Sequence, residues 1–208
     1  MILIGQYDSP FVRRVGIALR LYDMPFEHYP WSTFGDAEKL RRYNPLGRVP
    51  TLVLDDGAVL VESSAILDYL DELAGPAKAL IPASGSPRRE AMKVCALALG
   101  LGDKAVSMFY ERVMHKAPSE VWVARCRAQI SGVLDALEAD RAGRASPYWL
   151  GDAIGHPDIV VTCSLRFLWE VHAEAFSRAR TPALAAHAER CEARPEFREI
   201  SQPFIPPA

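Results

Sequence analysis

The hexapeptide Ser9-Pro10-Phe11-Val12-Arg13-Arg14 follows a short apolar run, Ile2-Leu3-Ile4, and predicts a strand, a tight turn and a helix. Ser9 takes the N-cap position and Pro10 the first helical position, where the missing N–H of proline costs nothing. A hydroxyl at an N-cap faces unpaired backbone N–H groups at the positive end of the helix dipole. Such a position can hold an anion, for example an anionic sulfur. Ser9 therefore has two interpretations, a plain helix cap and an anion-binding cap.

Composition favours a globular protein with a substantial core. Half of the 208 residues are hydrophobic, and the charges nearly balance at a formal −2. No Lys/Arg-dense stretch gives the footprint of a nucleic-acid-binding protein. The N-terminal apolar run is too short for a signal peptide, and Arg166 and Glu170 interrupt the most apolar later run, at 159–171. We therefore expect a soluble, cytoplasmic protein that binds neither nucleic acid nor membrane.

Cysteine and histidine usage argues against a metal site and against a disulfide scaffold. The four cysteines lie about thirty residues apart and form no C-x-x-C pair. The five histidines are scattered along the chain. The sequence therefore predicts free thiols within helices and no bound metal.

The N-terminal part of the chain alternates strand and helix. Residues 26–31 alternate apolar and polar side chains, as a half-buried strand does, and 36–43 predict a short helix. The turn Asp55-Asp56-Gly57 joins two apolar runs into a β-hairpin, and a helical apolar face follows over 63–74. The predicted order is βαβαββα, with the first two strands parallel through a crossover helix.

The remainder of the chain predicts helices only. Residues 78–86 include a Ser-Gly-Ser run between prolines and predict a linker. Long periodic apolar patterns follow, and the most apolar of them, from Asp158, should form the buried centre of a second domain. We expect an α/β domain over 1–77, a linker over 78–86 and an all-α domain over 87–208.

Val49 and Pro50 directly precede the predicted third strand. X-Pro bonds are the peptide bonds in which a cis isomer is cheap, and tight turns are where it is used. A cis bond here would turn the N–H and C=O of Val49 outward, where they could pair with a bound peptide in strand fashion. An ordinary proline at the entry of a strand is the other interpretation.

Glu62, Ser63 and Ser64 mark a second helix N-terminus. Backbone N–H groups and a serine hydroxyl could hold a carboxylate there, and Glu62 could hold an ammonium group. Together they could receive an α-amino acid head group. A capping serine beside a solvated Glu62 explains the same residues.

These motifs together resemble the glutathione S-transferase family, in particular its small bacterial members of the cytosolic type with a serine after the first strand. The resemblance rests on Ser-Pro-Phe after that strand, on Glu62-Ser63 and on two longer segments, Asn44-Pro45-Leu46-Gly47-Arg48-Val49-Pro50 and Arg194-Pro195-Glu196-Phe197. It covers essentially the whole chain. It implies a thioredoxin-like domain that binds glutathione, a helical domain that supplies a pocket for a small electrophile, and a homodimer.

The resemblance also implies roles for single residues. Ser9 would be the catalytic residue, donating a hydrogen bond to the glutathione sulfur. Val49, beside a cis Pro50, would pair with the cysteinyl backbone, while Glu62 and Ser63 would hold the γ-glutamyl head group. The other residues expected at the glutathione site are Phe11, Arg48 near the glycyl end, and Asp103.

Two of these assignments have alternatives. Some branches of the family use a tyrosine at the end of the first strand, so Tyr7 is the alternative donor to sulfur, although Ser-Pro-Phe is the serine-type arrangement. In the first long helix, Leu99 stands where the family often has an acidic residue that reaches across the dimer. Whether Asp103, one turn on, takes that role stays open.

The electrophile pocket would be lined by Tyr7, Tyr110 and Arg112. The family pattern also has a Ser/Thr cap before the buried helix, where this chain has Gly155 followed by Asp158.

The implied activity is that of a transferase that activates glutathione as a thiolate for attack on a hydrophobic electrophile. A glutathione-dependent reductase of disulfides or peroxides, and a non-catalytic binding module of the same fold, are the alternatives.

Overall fold

The computed structural model of the chain describes residues 1–206 and divides them into two compact units. Met1–Ala83 and residues 193–206 form the first unit, and Ser84–Glu192 form the second. The sequence placed residues 193–208 in the helical domain, whereas 193–206 pack with the N-terminal residues. Pro207 and Ala208 lie outside the described residues.

Four short strands form one mixed sheet in the first unit. They are β1 (Ile2–Ile4), β2 (Glu27–Tyr29), β3 (Thr51–Val53) and β4 (Val59–Val61), in the spatial order β2-β1-β3-β4. β1 runs parallel to β2, whereas β3 is antiparallel to both β1 and β4. The predicted parallel pair and the predicted hairpin are both confirmed.

Three helices complete the predicted order of this unit. They are α1 (Pro10–Leu21), α2 (Ala37–Arg41) and α3 (Ser63–Ala74). α1 and α3 pack against each other, and their apolar faces share one core with the sheet. Its buried members include Leu3, Val12, Val15, Leu19, Leu52, Ile66 and Leu70. The order βαβαββα with this strand arrangement is the thioredoxin-like fold that the family resemblance implies.

The second unit consists of helices. They are α4 (Gly85–Met114), α5 (Glu120–Ala142), α6 (His156–Val171) and α7 (Pro182–Glu192), with a short 3-10 turn at Arg178–Arg180. α6 packs against α4 and α7 and is buried along nearly its whole length, which confirms it as the centre of this unit. Among the described helices, none is both long enough and apolar enough to cross a bilayer.

The N-terminus of α6 is capped by a buried carboxylate. Asp158 Oδ2 accepts a hydrogen bond from the Gly155 N–H at 2.8 Å, and its Oδ1 accepts one from the Trp149 N–H at 2.9 Å. Burial raises the pKa of Asp158 to about 6, and these hydrogen bonds counteract the shift. Because the carboxylate reaches the backbone N–H of Gly155, the glycine at the cap position leaves the helix start intact.

The last helix, α8 (Pro195–Glu199), belongs to the first unit and packs against α1. Arg13, only 2% exposed, donates from Nε to the carbonyl of Ile200 at 2.8 Å and from Nη2 to the carbonyl of Phe197 at 2.9 Å. A buried charge is tolerated when its donors are satisfied in this way. These two hydrogen bonds help to hold residues 193–206 on the N-terminal unit.

Candidate functional site

Ser9 caps α1. Its Oγ accepts a hydrogen bond from the Val12 N–H at 3.4 Å, and its carbonyl accepts one from the Arg13 N–H at 3.0 Å. The side chain of Ser9 is partly exposed. A hydroxyl oxygen that accepts one N–H still carries its own proton, which it can donate elsewhere. Capping α1 therefore leaves the Ser9 O–H available to an anion at the start of this helix.

Gly5 lets the Val49–Pro50 segment approach the first turn of α1. A Cβ at Gly5 would lie 2.5 Å from Val12 Cγ2 and 2.8 Å from Val49 Cβ, and the φ of Gly5 is +128°. The Val49–Pro50 bond is cis, as expected. Within residues 1–206, neither the N–H nor the C=O of Val49 is hydrogen-bonded. Val49 thus offers a free backbone donor and acceptor beside the helix that Ser9 caps.

Asn44 organises the turn that carries Arg48. The buried Asn44 amide donates to the Arg48 carbonyl at 2.8 Å and to Thr51 Oγ1 at 3.2 Å, and its Oδ1 accepts from the Leu46 N–H at 3.0 Å. The Arg48 side chain is exposed, and within the described part of the chain its guanidinium has no hydrogen bond or ion pair. A fixed backbone therefore presents a free cation next to Val49.

Glu62 and Ser63 start α3 in a strained conformation. Glu62 is the N-cap with φ +72°, in the left-handed region that side chains rarely adopt. Its Oε1 accepts from the Ser63 N–H at 2.7 Å and from Ser63 Oγ at 3.2 Å. Strain of this kind costs about 1–3 kcal/mol and is concentrated at functional sites. The Glu62 carboxylate is thereby held at the N-terminus of α3.

Arg14 connects α1 to the N-terminus of α3. The buried guanidinium donates from Nη1 to Ser63 Oγ at 3.3 Å. Ser63 itself is fully buried, so its hydroxyl accepts from Arg14 and donates to Glu62. Since Arg14 lies in the second turn of α1, this hydrogen bond holds the first turns of the two helices close together.

Tyr7 directs its phenol away from Ser9. The ring carbon Cε1 approaches Gly16, where it would lie 3.3 Å from an added Cβ. Burial raises the pKa of Tyr7 to about 12, although the positive charge of Arg20 lowers it. Gly16 and Arg20 belong to the C-terminal half of α1, whereas Ser9 caps its N-terminus. The phenol remains protonated at neutral pH and faces the far end of the helix.

The other face of the Tyr7 ring is covered by β2. The ring stacks on His28 with centroids 3.8 Å apart and an interplanar angle of 5°. His28 Nε2 lies 2.7 Å from the carbonyl oxygen of Gly5, and burial lowers the pKa of this imidazole. A carbonyl can only accept, so Nε2 carries the proton. These contacts fix Tyr7 as a packed residue of the β1–α1 connection.

Three more residues predicted at the site lie on α4, in the helical unit. Asp103 is exposed and pairs with Lys104 at 3.0 Å. Tyr110 is half-buried, with its ring centroid 5.6 Å from that of Phe109, and Arg112 is exposed. Arg112 lies nine positions after Asp103 in the helix, about 14 Å along the axis. The two side chains therefore belong to different places on α4, in keeping with their different predicted roles.

Sequence reasoning missed three residues that shape the site: Gly5, Arg14 and Asn44. Glycine directly after a strand indicates a close backbone approach, and Asn-Pro indicates a turn, so two of them carried a signal. Arg14 carried none, because charged residues are almost never fully buried unless paired. Within the described residues, no group of three or more His, Cys, Asp or Glu side chains could hold a metal ion.

Comparison with known proteins gives consistent matches over both units. Residues 3–78 match the family described as glutathione S-transferase, N-terminal domain, and residues 120–190 match glutathione S-transferase, C-terminal domain. The chain is 34% identical over 139 residues to the GST-like protein YibF of Escherichia coli, covering 66% of this chain and 68% of that protein.

Solved structures match over nearly the full length. A glutathione S-transferase of Methylobacterium radiotolerans in complex with glutathione sulfonate is 32% identical, with a TM-score of 0.89 over 100% of this chain and 98% of the other. A glutathione transferase family member of Pseudomonas fluorescens with bound glutathione is 31% identical, with a TM-score of 0.81 over 98% of this chain and 99% of the other.

Proposed function

Since this chain belongs to the glutathione S-transferase family, we propose that it binds glutathione at the N-terminal ends of α1 and α3 and activates its thiol for attack on an electrophile. The observation that carries the proposal is the Arg14–Ser63 hydrogen bond, because it holds the two helix N-termini side by side. One helix terminus suits a thiolate and the other suits a carboxylate. The glutathione sulfonate and the glutathione bound in the two similar bacterial structures support the choice of ligand.

Each part of the tripeptide has a matching group. The thiolate accepts a hydrogen bond from the Ser9 O–H, and the cysteinyl backbone forms hydrogen bonds with the free N–H and C=O of Val49. The γ-glutamyl carboxylate lies at the N-terminus of α3 near Ser63, and its ammonium group meets the Glu62 carboxylate. The glycyl carboxylate lies near the exposed guanidinium of Arg48.

The energies involved are sufficient without a general base. A free thiol titrates near pH 8.5, and lowering its pKa by about two units requires roughly 2.7 kcal/mol of preference for the thiolate. A hydrogen bond to a charged group supplies about 1.5–3 kcal/mol. The helix N-terminus adds about 0.3–1 kcal/mol. Ser9 and the terminus of α1 together supply the required amount.

Ser9 is the proposed donor rather than Tyr7. A phenol with a raised pKa is a weaker hydrogen-bond donor to an anion, and that of Tyr7 is about 12. Its ring also lies beside Gly16, in the half of α1 opposite to the end that Ser9 caps. Tyr7 is instead proposed to pack the β1–α1 connection that leads into Ser9.

Transferase chemistry is favoured over thiol-based reduction. All four cysteines of the chain are free and buried, and a serine stands at position 9, so no accessible protein thiol could form a mixed disulfide with glutathione. Turnover of a chlorinated nitrobenzene, compared with turnover of a glutathione mixed disulfide, separates the two activities. If neither substrate is turned over although glutathione still binds, the protein is a non-catalytic binding module. The expected homodimer is tested by sedimentation.

The decisive experiment compares Ser9→Ala with Tyr7→Phe. The pKa of bound glutathione is read from thiolate absorbance as a function of pH. We expect Ser9→Ala to raise that pKa by about one to two units, from the loss of a charge-assisted hydrogen bond. Tyr7→Phe should leave it unchanged. The reverse pattern would assign the thiolate to Tyr7.

A further inference from the structure

His28 donates a hydrogen bond to the chain segment that leads out of β1 toward Ser9. It lies in β2, which pairs with β1 in the sheet, and its ring Nε2 lies 2.7 Å from the carbonyl oxygen of Gly5. Gly5 is buried, and a buried carbonyl needs a donor from the protein. The His28 side chain therefore serves a backbone group at the start of the β1–α1 connection.

His28 replaces a backbone donor that a regular sheet would provide. The Gly5 N–H donates to the Tyr29 carbonyl at 2.9 Å, so the next bond of a parallel ladder would run from the Trp31 N–H to the Gly5 carbonyl. The Trp31 N–H donates instead to the Tyr29 carbonyl, at 2.8 Å. The chain after β2 thus turns away from β1 one bond early, and His28 takes the place of that bond.

The orientation of the Gly5 carbonyl affects both sides of the proposed thiol site. Gly5 has a φ of +128°, and glycine has more backbone freedom than any other residue, so its partners decide how the chain turns here. Its backbone lies against Val49, whose Cβ would be 2.8 Å from an added Cβ. The next residue, Gln6, accepts the Ser9 N–H at its carbonyl at 3.2 Å. A donor that fixes the Gly5 carbonyl therefore helps to fix Ser9 relative to Val49.

The His28 ring is itself held in one orientation. It stacks on Tyr7 with centroids 3.8 Å apart and an interplanar angle of 5°. Burial lowers the pKa of the imidazole, so the ring is neutral at neutral pH and its one proton lies on Nε2, toward Gly5. A flat ring packed on a second ring cannot rotate freely. This N–H is therefore a fixed donor.

We propose that His28 is a positioning residue for the thiolate: its hydrogen bond to the Gly5 carbonyl holds Ser9 and Val49 at the separation that suits bound glutathione. The proposal rests on the proposed glutathione site, since it concerns how that site is held. In this role His28 touches neither the ligand nor the reacting atoms and acts through the backbone of Gly5. Loss of the donor should let the connection shift, which weakens the hydrogen bond from Ser9 to the sulfur.

Two substitutions of His28 separate its hydrogen bond from its stacking. Phenylalanine keeps a ring against Tyr7 but has no N–H, whereas glutamine brings an amide N–H close to the position of Nε2 and has no ring. The pKa of bound glutathione, read from thiolate absorbance as a function of pH, should rise by about 0.5–1 in His28→Phe. It should stay within about 0.3 of the value for the unaltered protein in His28→Gln, because the donor is restored. An equal or larger rise in His28→Gln would overturn the proposal and assign the effect to ring packing.

Tyr22→Phe is the matched control for loss of a hydrogen bond in the same unit. The Tyr22 O–H contacts the Asp71 carboxylate at the end of α1 opposite to Ser9. Thermal unfolding should occur earlier in Tyr22→Phe, and the pKa of bound glutathione should not change. A rise equal to that in His28→Phe would overturn the proposal, because a general loss of stability would then explain both.

The unaltered protein distinguishes failure of this proposal from failure of the proposed function. If it binds no glutathione, or leaves the thiol pKa near its free value of about 8.5, the proposed function is wrong and the role of His28 falls with it. If the unaltered protein lowers the thiol pKa and His28→Phe lowers it equally, only the role of His28 is wrong.

Discussion

The side-chain Oε1 of Gln202 accepts a hydrogen bond from the backbone N–H of Tyr7 at 3.2 Å, although 195 residues separate the two in sequence. Three residues further on, the Ile205 N–H donates to Asp8 Oδ2 at 3.1 Å. Tyr7 and Asp8 are the residues that lead into Ser9. The end of the chain therefore holds the connection on which the proposed thiolate donor stands.

Replacement of Gln202 should affect the site without unfolding the unit. Gln202→Ala removes the acceptor of the Tyr7 N–H, a hydrogen bond worth about 0.5–1.5 kcal/mol. We expect kcat/KM for glutathione to fall about two- to tenfold. Ile205→Ala is the control, because it keeps the backbone N–H that contacts Asp8 and removes only an exposed side chain. Equal losses in both variants would contradict a role for the Gln202 contact.

Ser9→Gly should separate capping from catalysis. Glycine is an acceptable N-cap that costs only a few tenths of a kcal/mol, whereas alanine costs about 0.5–2 kcal/mol. Thermal unfolding should therefore be nearly unchanged in Ser9→Gly and clearly earlier in Ser9→Ala. The pKa of bound glutathione should rise in both, because neither variant has a hydroxyl. A near-normal thiol pKa in Ser9→Gly would mean that helix N–H groups alone stabilise the thiolate.

Gly5→Ala should disturb both Val12 and Val49, which lie beside the proposed binding position of the glutathione thiol. The new Cβ would meet Val12 Cγ2 at 2.5 Å and Val49 Cβ at 2.8 Å, so the Val49 segment must move away from α1. Overpacking of this kind costs about 1–3 kcal/mol, in addition to the strain of a positive φ. Denaturant unfolding should show the lower stability, and titration should show weaker glutathione binding.

Gly57→Ala is the matched control for Gly5→Ala. Gly57 also has a positive φ, +87°, but an added Cβ there meets nothing within 4 Å. The Gly57→Ala variant should lose some stability because alanine is strained at this positive φ, and it should keep its affinity for glutathione. Loss of affinity in Gly57→Ala would mean that general destabilisation accounts for the effect at Gly5.

Ser63→Ala should cost far more than Ser64→Ala. The Ser63 hydroxyl is buried and contacts both Arg14 and Glu62, so its removal takes an acceptor from a buried guanidinium. The expected loss of stability is about 1–3 kcal/mol, together with weaker glutathione binding. Ser64 is exposed, and its replacement should stay within about 0.5 kcal/mol of the unaltered protein. Similar losses of stability in the two variants would contradict the role of Ser63 in holding the N-termini of α1 and α3 together.

The pKa of Tyr7 predicts a stability change in alkaline solution. Burial favours the neutral phenol, so the folded-state pKa of about 12 lies above the ordinary tyrosine value of about 10. The folded protein therefore holds a proton that the unfolded chain has lost between about pH 10 and pH 12, and stability falls as the pH rises through that range. Denaturant unfolding should show a smaller decline over this range in Tyr7→Phe than in the unaltered protein.

Local patterns were sufficient to predict the order of elements. Each strand and helix of the first unit follows from the spacing of its own apolar residues, and the bounds differ from the prediction by a few residues at most. The site depends on tertiary contacts, which the spacing of apolar residues along the chain does not predict. The positive φ of Glu62 and the burial of Arg14 arise from the neighbours that the fold supplies. For the same reason, the sequence pattern assigns residues 193–206 to the helical domain. The backbone carbonyls that bind Arg13 cannot be predicted from the spacing of side chains.

The pairing of Arg13 with the carbonyls of Phe197 and Ile200 has a consequence for biosynthesis. A ribosome finishes the sheet and first helices long before it reaches residue 197, so in the nascent chain this guanidinium cannot yet have its final partners. Burial of an unpaired cation is strongly unfavourable. The N-terminal unit therefore reaches its final packing only after the whole helical unit has been translated, and translation that stops before residue 197 would leave the buried Arg13 guanidinium without these two backbone acceptors.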